Sequence, residues 1–211
     1  MSTFEEGLIA YEAGYIRAAI QYWTQAAEAG DVRSQFNLGV IFDNGDHVEP
    51  NPWEAVLWYR RAAEQGYAPA QFNLALMLLQ ARGTARNPAE AAHWYQQAAQ
   101  QGQPDALFNL AQMCADGDGV RQDYAAAVQL YTQAAERGHA EAANNLGIRY
   151  AMGQGVPRDD EAAYMWFNIA VELGDATAVR HRERVAMQLS EQQIMDAGRR
   201  SQQWLLQHGF R

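Results

Sequence analysis

Small, apolar and aromatic residues return along this chain at a fixed step of 36 positions. Phe36-Asn37-Leu38-Gly39, Phe72-Asn73-Leu74-Ala75, Phe108-Asn109-Leu110-Ala111 and Asn144-Asn145-Leu146-Gly147 are versions of one phrase. A second phrase, Ala-Ala-Glu-x-Gly, runs from Ala26–Gly30 through Ala62–Gly66, Ala98–Gly102 (with Gln100 for the glutamate) and Ala134–Gly138 to the looser Ala170–Gly174. Single alanines at 19, 55, 91, 127 and 163 keep the same step. The pairs Tyr22-Trp23, Trp58-Tyr59, Trp94-Tyr95, Leu130-Tyr131 and Trp166-Phe167 fall just before the Ala-Ala phrase, on the same face of a helix. Self-similarity at such a period marks a solenoid, in which each unit buries its apolar face only against its neighbours.

Within each unit the pattern predicts two helices. The first carries the Asn-Leu-Gly/Ala phrase, and the second carries the aromatic pair and Ala-Ala. Residues 3–30 read as an opening hairpin, with Phe4 to Glu12 as one helix, Gly14 as its stop and Arg17 to Ala29 as the next. Its inter-helix loop is shorter than those that follow. Units 31–66, 67–102, 103–138 and 139–174 come next, and 175–211 reads as a helical cap, so the whole of 1–211 is expected to form a single solenoid domain. The loops Asn44-Gly45-Asp46-His47-Val48, Ala81-Arg82-Gly83-Thr84-Ala85, Asp116-Gly117-Asp118-Gly119-Val120 and Met152-Gly153-Gln154-Gly155-Val156 supply glycine for left-handed backbone. Ala81 takes that place in the second loop. In the cap, Ser190 with Gln193 three residues on predicts a capping box opening a helix to about His208.

Composition narrows the function classes. The net charge of −9 argues against non-specific binding to nucleic acid or anionic membranes, which needs clustered positive charge. No apolar run is long enough to cross a bilayer, and the acidic start Met1-Ser2-Thr3-Phe4-Glu5-Glu6 does not resemble a signal peptide. A lone Cys114 fits a reducing compartment, so a cytoplasmic location is expected. All basic side chains except histidine are arginines, with no lysine anywhere.

No catalytic constellation emerges. His47, His93, His139, His181 and His208 sit in unrelated phases of the repeat and form no metal-ligand spacing. No phosphate-binding loop or nucleophile elbow is present. Asp116-Gly117-Asp118-Gly119 lacks the acidic ligands that a calcium loop needs further along. Neither cofactor nor metal is expected, and Cys114 reads as a small core residue.

The sequence of phrases, with Ala, Leu-Gly, Gly-x-Gly-Val, Ala, Trp-Tyr and Ala-Ala-Glu-x-Gly within 36 residues, resembles the Sel-one-like repeat (SLR) family, relatives of the tetratricopeptide repeat. The resemblance covers roughly residues 15–174. It implies an all-α, right-handed α-solenoid of about five helical hairpins plus the C-terminal cap, of bacterial origin, acting as a non-enzymatic adaptor or scaffold. In the tetratricopeptide relatives the first helices form a concave inner wall. Carried over, this nominates Phe36, Phe72, Phe108 and Asn144, with Val40, Leu76, Gln112 and Ile148, and Asp43 and Leu79 one turn further on. Such an apolar wall suits a peptide, an amphipathic helix, a partner protein or a second copy of the chain.

Two readings of that row stay open. The phenylalanines line a groove, or they pack between neighbouring hairpins. The Asn37, Asn73, Asn109 and Asn145 ladder likewise either grips a peptide backbone or cross-links the protein to itself. Arg180, Arg182, Arg184, Arg199 and Arg200 give the cap a solvated polar face or a contact for an acidic partner. The alternatives from other function classes are a dedicated chaperone or immunity protein for one effector or toxin and, as the family resemblance implies without any supporting motif in this chain, binding or hydrolysis of β-lactams.

Overall fold

A computed structural model describes residues 2–45 and 47–210. Met1, Asp46 of the first loop and Arg211 at the end of the cap lie outside the described residues. The chain forms two compact units, Met1–Gln101 and Gly102–Arg211. The first contains the hairpins α1 (Thr3–Glu12) with α2 (Ile16–Glu28), α3 (Val32–Asn44) with α4 (Pro52–Glu64), and α5 (Ala68–Gln80) with α6 (Pro88–Gln100). The second contains α7 (Pro104–Asp116) with α8 (Tyr124–Ala135), α9 (Ala140–Met152) with α10 (Asp160–Glu172), and the closing helices α11 (Ala178–Ala186) and α12 (Glu191–Gln207). All of the regular structure among the described residues is helical, an all-α solenoid architecture.

Local chemistry sets the helix ends. Asn51 and Asn87 accept the backbone N–H of Glu54 and Glu90, just ahead of Pro52 and Pro88 at the first helical position. Asp31, Asp123 and Asp159 cap α3, α8 and α10 in the same way. Ser2 and Ser190 form complete capping boxes with Glu5 and Gln193, the second as the sequence predicts. Four of the five first helices end on left-handed residues, α3, α7 and α9 on Gly45, Gly117 and Gly153 and α5 on Ala81 at φ 55°, whereas α1 ends on Ala13 at φ −80°.

Each hairpin closes by pressing an aromatic ring onto a residue with little or no side chain. A Cβ added to Gly39 would lie 2.5 Å from Tyr59, and one added to Gly147 would lie 2.6 Å from Phe167. Both rings are buried, as are Trp23, Tyr95 and Tyr131 at the same register. The alanines at 19, 55, 91, 127 and 163 are fully buried, leaving the backbones of neighbouring helices close together. Leu38, Leu74 and Leu146 are completely buried and Leu110 nearly so. Leu38 and Ile41 share a core cluster with Ala19, Trp23 and Ala27, so the first helix of one hairpin is packed on the second helix of the hairpin before it.

Two stability measurements follow from this packing. Leu74→Ala removes a fully enclosed side chain and is expected to lower stability by about 2–5 kcal/mol, seen as a lower denaturation midpoint. A variant melting like the parent would contradict the assigned register. Ala81→Gly relieves a left-handed backbone with a Cβ and is expected to raise stability by roughly 1 kcal/mol, read in the same assay.

Candidate functional site

The residues nominated for the first-helix wall differ in what they touch. In the amino-terminal unit Phe36 is half-buried, its ring centroid 5.8 Å from Tyr59 and 5.2 Å from Tyr67. Phe72 is half-buried with its centroid 5.6 Å from Tyr95. Val40, Leu76 and Leu79 are also half-buried. In the carboxy-terminal unit Phe108 is buried, stacked on His139 at 4.4 Å and lying 5.9 Å from Tyr131. Gln112 is exposed and Ile148 half-buried. The phenylalanines thus pack on the aromatic rings of the second helices, Phe108 buried and Phe36 and Phe72 half-buried like Val40, Leu76 and Leu79.

Asn144 departs furthest from the expectation. It is buried, its amide donates to Thr177 Oγ1 at 3.2 Å, and its carbonyl oxygen lies 2.8 Å from His181 Nδ1. Thr177 and His181 belong to the start of the cap, which covers this position. Asp43 is also committed: Arg82, from the next hairpin, binds its carboxylate and reaches its backbone carbonyl. Burial pushes the Asp43 carboxyl above its ordinary value, and Arg82 acts in the opposite direction. Asp43 therefore serves as a tie between neighbouring hairpins. Cys114, read as a small core residue, is half-buried, and burial followed by nearby Asp123 pushes its thiol up.

A groove of about 200 Å³ opens on α1, α2 and α3, lined by Leu8, Tyr11, Trp23, Asn37, Val40 and Ile41. It holds one of the nominated residues, Val40. Of the asparagine ladder, Asn37 faces this groove, whereas Asn73 shares a hydrogen bond with the buried phenol of Tyr59. Burial pushes the Tyr59 phenol well above its ordinary value. The same effect pushes Tyr131 up to about 12, so both remain neutral donors at physiological pH.

Sequence reasoning missed a glutamine ladder. Buried Gln35 donates to the Ala27 carbonyl at 3.0 Å and accepts from Gln65 at 2.7 Å. One step of 36 later, Gln71 donates to Ala63 at 3.2 Å and accepts from Gln101 at 2.9 Å. The signal was present as two glutamines in the same phase, but Leu107 and Ala143 occupy that phase afterwards and broke the pattern.

The Sel1 repeat matches residues 10–31, 32–67, 68–103, 104–139 and 140–175. The chain belongs to the Sel1 repeat family. Among solved structures this Sel1 repeat chain is similar to a Sel1 repeat protein from Oxalobacter formigenes, at 35% identity over 83% of this chain and 75% of that one, with a TM-score of 0.77. It is similar at 27% identity to a protective antigen present in uropathogenic Escherichia coli strains, which displays an SLR fold (TM-score 0.58). That match covers 92% of this chain but only 49% of the antigen, so the chain spans about half its length. An immunity protein from Pseudomonas aeruginosa shares the fold at 17% identity, with a TM-score of 0.51 over 92% of this chain and 76% of that one. No curated protein matches the sequence. Sel1 repeat proteins are generally protein-interaction modules, and their fold is typically a non-catalytic scaffold. No helix among the described residues is long and apolar enough to cross a membrane.

Within the amino-terminal unit, Arg60 of α4 binds Glu90 of α6, which also accepts from Trp94 and Asn87. Burial pushes Glu90 up, but the bonds from Arg60, Trp94 and Asn87 together hold it below its ordinary 4.5. A carboxylate depressed on folding stabilises the fold above its unfolded pKa, and that contribution is lost as pH falls through the folded value. Glu90→Gln is therefore expected to lower stability at neutral pH by under about 1 kcal/mol, since the pair is partly solvated. The gap between parent and variant should close below the ordinary carboxylate pKa, as followed by denaturation at a series of pH values. A gap independent of pH would contradict the assignment.

Proposed function

We propose that the chain is a non-enzymatic adaptor or scaffold of the bacterial cytoplasm, and that the first-helix face of its amino-terminal unit binds an apolar-faced peptide or helix. The observation that carries this reading is the groove lined by Leu8, Tyr11, Trp23 and Val40, with half-buried Leu76 and Leu79 on α5, the next first helix. Membership of an interaction-module family supports it, as do the bacterial relatives. A single thiol agrees with a reducing compartment.

An apolar wall that is only half covered gains free energy when a partner removes the rest from water, at about 25 cal/mol per Å² of apolar area. Side chains that are already half-buried lose little further rotamer freedom on binding. Specificity would come from the groove's shape and from the one amide it presents, Asn37. The immunity role of the Pseudomonas protein is matched here at the level of fold alone.

The test is capture of bound protein by the parent and by Val40→Arg and Leu76→Arg, each first shown to melt cooperatively. Phe72→Arg is less suitable, because Phe72 packs on Tyr95 and its replacement disturbs the core. Loss of a specific bound protein from folded variants is the expected result. Retention of the same partners by both folded variants would overturn the reading.

A further inference from the structure

Among the described residues four glycines lie inside helices, and three of them have a ring pressed against them. A Cβ on Gly7, Gly39 or Gly147 would lie 2.4 to 2.6 Å from Trp23, Tyr59 or Phe167. The fourth, Gly198 in the middle of α12, is different. A Cβ there would meet nothing nearer than Asn168 Nδ2, at 4.0 Å. Helix interiors disfavour glycine relative to alanine, and here no neighbour requires it. The space over Gly198 belongs to a cleft of about 360 Å³ between α10 and α12, a size that suits a small molecule.

The cleft is polar at its floor and apolar on its sides. Ser201, 3% exposed, donates its hydroxyl to the Gly198 carbonyl at 2.7 Å, which leaves its oxygen lone pairs for an incoming donor. Beside it the Asn168 carbonyl oxygen is taken by Arg182 at 2.8 Å. The Asn168 Nδ2 reaches Ser201 Oγ only at 3.5 Å, the limit of a hydrogen bond, so this amide has N–H capacity to spare. Buried Leu205, half-buried Phe210 and exposed Leu206 form the sides. At the rim stands exposed Glu172, one turn along α10 from Asn168. It is the one charged side chain of the lining, and no cation pairs with it among the described residues.

We propose that this cleft binds a small organic amine with an apolar body and a hydroxyl at its far end. The ammonium group pairs with the Glu172 carboxylate, and the body lies over Gly198 among Leu205, Leu206 and Phe210. The far hydroxyl accepts from the Asn168 amide and donates to Ser201 Oγ. Asn168 and Glu172 are separated by roughly 6 Å of helical rise, which one substituted ring can span. Arg182, held by the Asn168 carbonyl oxygen, lies outside the lining, so Glu172 sets the sign of the ligand's charge. The cleft lies wholly within the carboxy-terminal unit and shares no residue with the amino-terminal groove, so either reading can fail without the other.

The probe is tyramine, titrated into the full chain by calorimetry at low salt. Beside it run hydroxyphenylpropionate, which keeps the ring and hydroxyl but carries a carboxylate, and phenethylamine, which lacks the hydroxyl. Saturable binding of tyramine is expected, with the acid weaker by about tenfold or more and phenethylamine weaker by several-fold. Glu172→Gln, at an exposed position, is expected to abolish the preference for amine over acid. Gly198→Leu is expected to fill the cleft and abolish binding, and Gly198→Ala to melt no lower than the parent. Melting curves check that each variant is folded, and Glu172→Gln decides the matter if Gly198→Leu is not. Absence of saturable tyramine binding up to millimolar concentration would overturn the proposal. So would equal binding of either comparator, a preference for amine that survives Glu172→Gln, undiminished binding by folded Gly198→Leu, or a Gly198→Ala variant that melts below the parent.

Discussion

The contact on which the repeat depends is an aromatic ring pressed against a helix position with little or no side chain. Tyr59 on Gly39 and Phe167 on Gly147 occupy space that a single methyl group would contest, with hypothetical Cβ contacts of 2.5 and 2.6 Å. The ring supplies a large apolar area, and the missing side chain lets two helix axes come together. At Ala75 and Ala111 a methyl is present and the facing rings, Tyr95 and Tyr131, are still buried. The hairpin thus accepts either of the two smallest residues at this position, but the ring placement must differ between them. Because the same contact recurs every 36 residues, one local solution is reused along the chain.

Polar ties complement this packing and act between hairpins. Gln35 and Gln71 reach back to the Ala27 and Ala63 carbonyls at the end of the preceding second helix, adding a side-chain bond to acceptors that also take the backbone N–H of Gly30 and Gly66. Arg82 binds Asp43 and Arg60 binds Glu90, each across one repeat step. These bonds are specific in a way that apolar contact is not, since a shift of one residue would leave a buried amide unsatisfied. Leu107 and Ala143 take the glutamine's phase in the carboxy-terminal unit, and both are buried.

The cap ends the repeat by changing the polarity of the same positions. Where the repeat step would place another Asn-Leu-Gly phrase, the chain has Arg180-His181-Arg182-Glu183. His181 meets Asn144, and Arg182 donates to Asn168 at 2.8 Å. The preceding hairpin is therefore covered partly by polar side chains that bond buried Asn144 and half-buried Asn168, beside the buried Ala178, Val185, Ala197 and Leu205 of the closing helices. In the first hairpin Glu6 takes the register of Leu38, and Ile9 and Tyr22 are exposed.

Periodicity determined the helical hairpins and the buried alanines and leucines, and local capping chemistry determined the box at Ser190. All of these follow from patterns among residues close in sequence. The fate of the nominated wall was decided only in three dimensions. Phe108 is stacked on His139, Asn144 is covered by the cap, and Asp43 is claimed by Arg82, while Val40 lines the groove and Leu76 stays half-buried. The physical reason is that helical phase says which face a side chain leaves from. Whether that face meets solvent, a neighbouring ring or a charged partner depends on residues some 30 to 40 positions away, brought there by the stacking of hairpins.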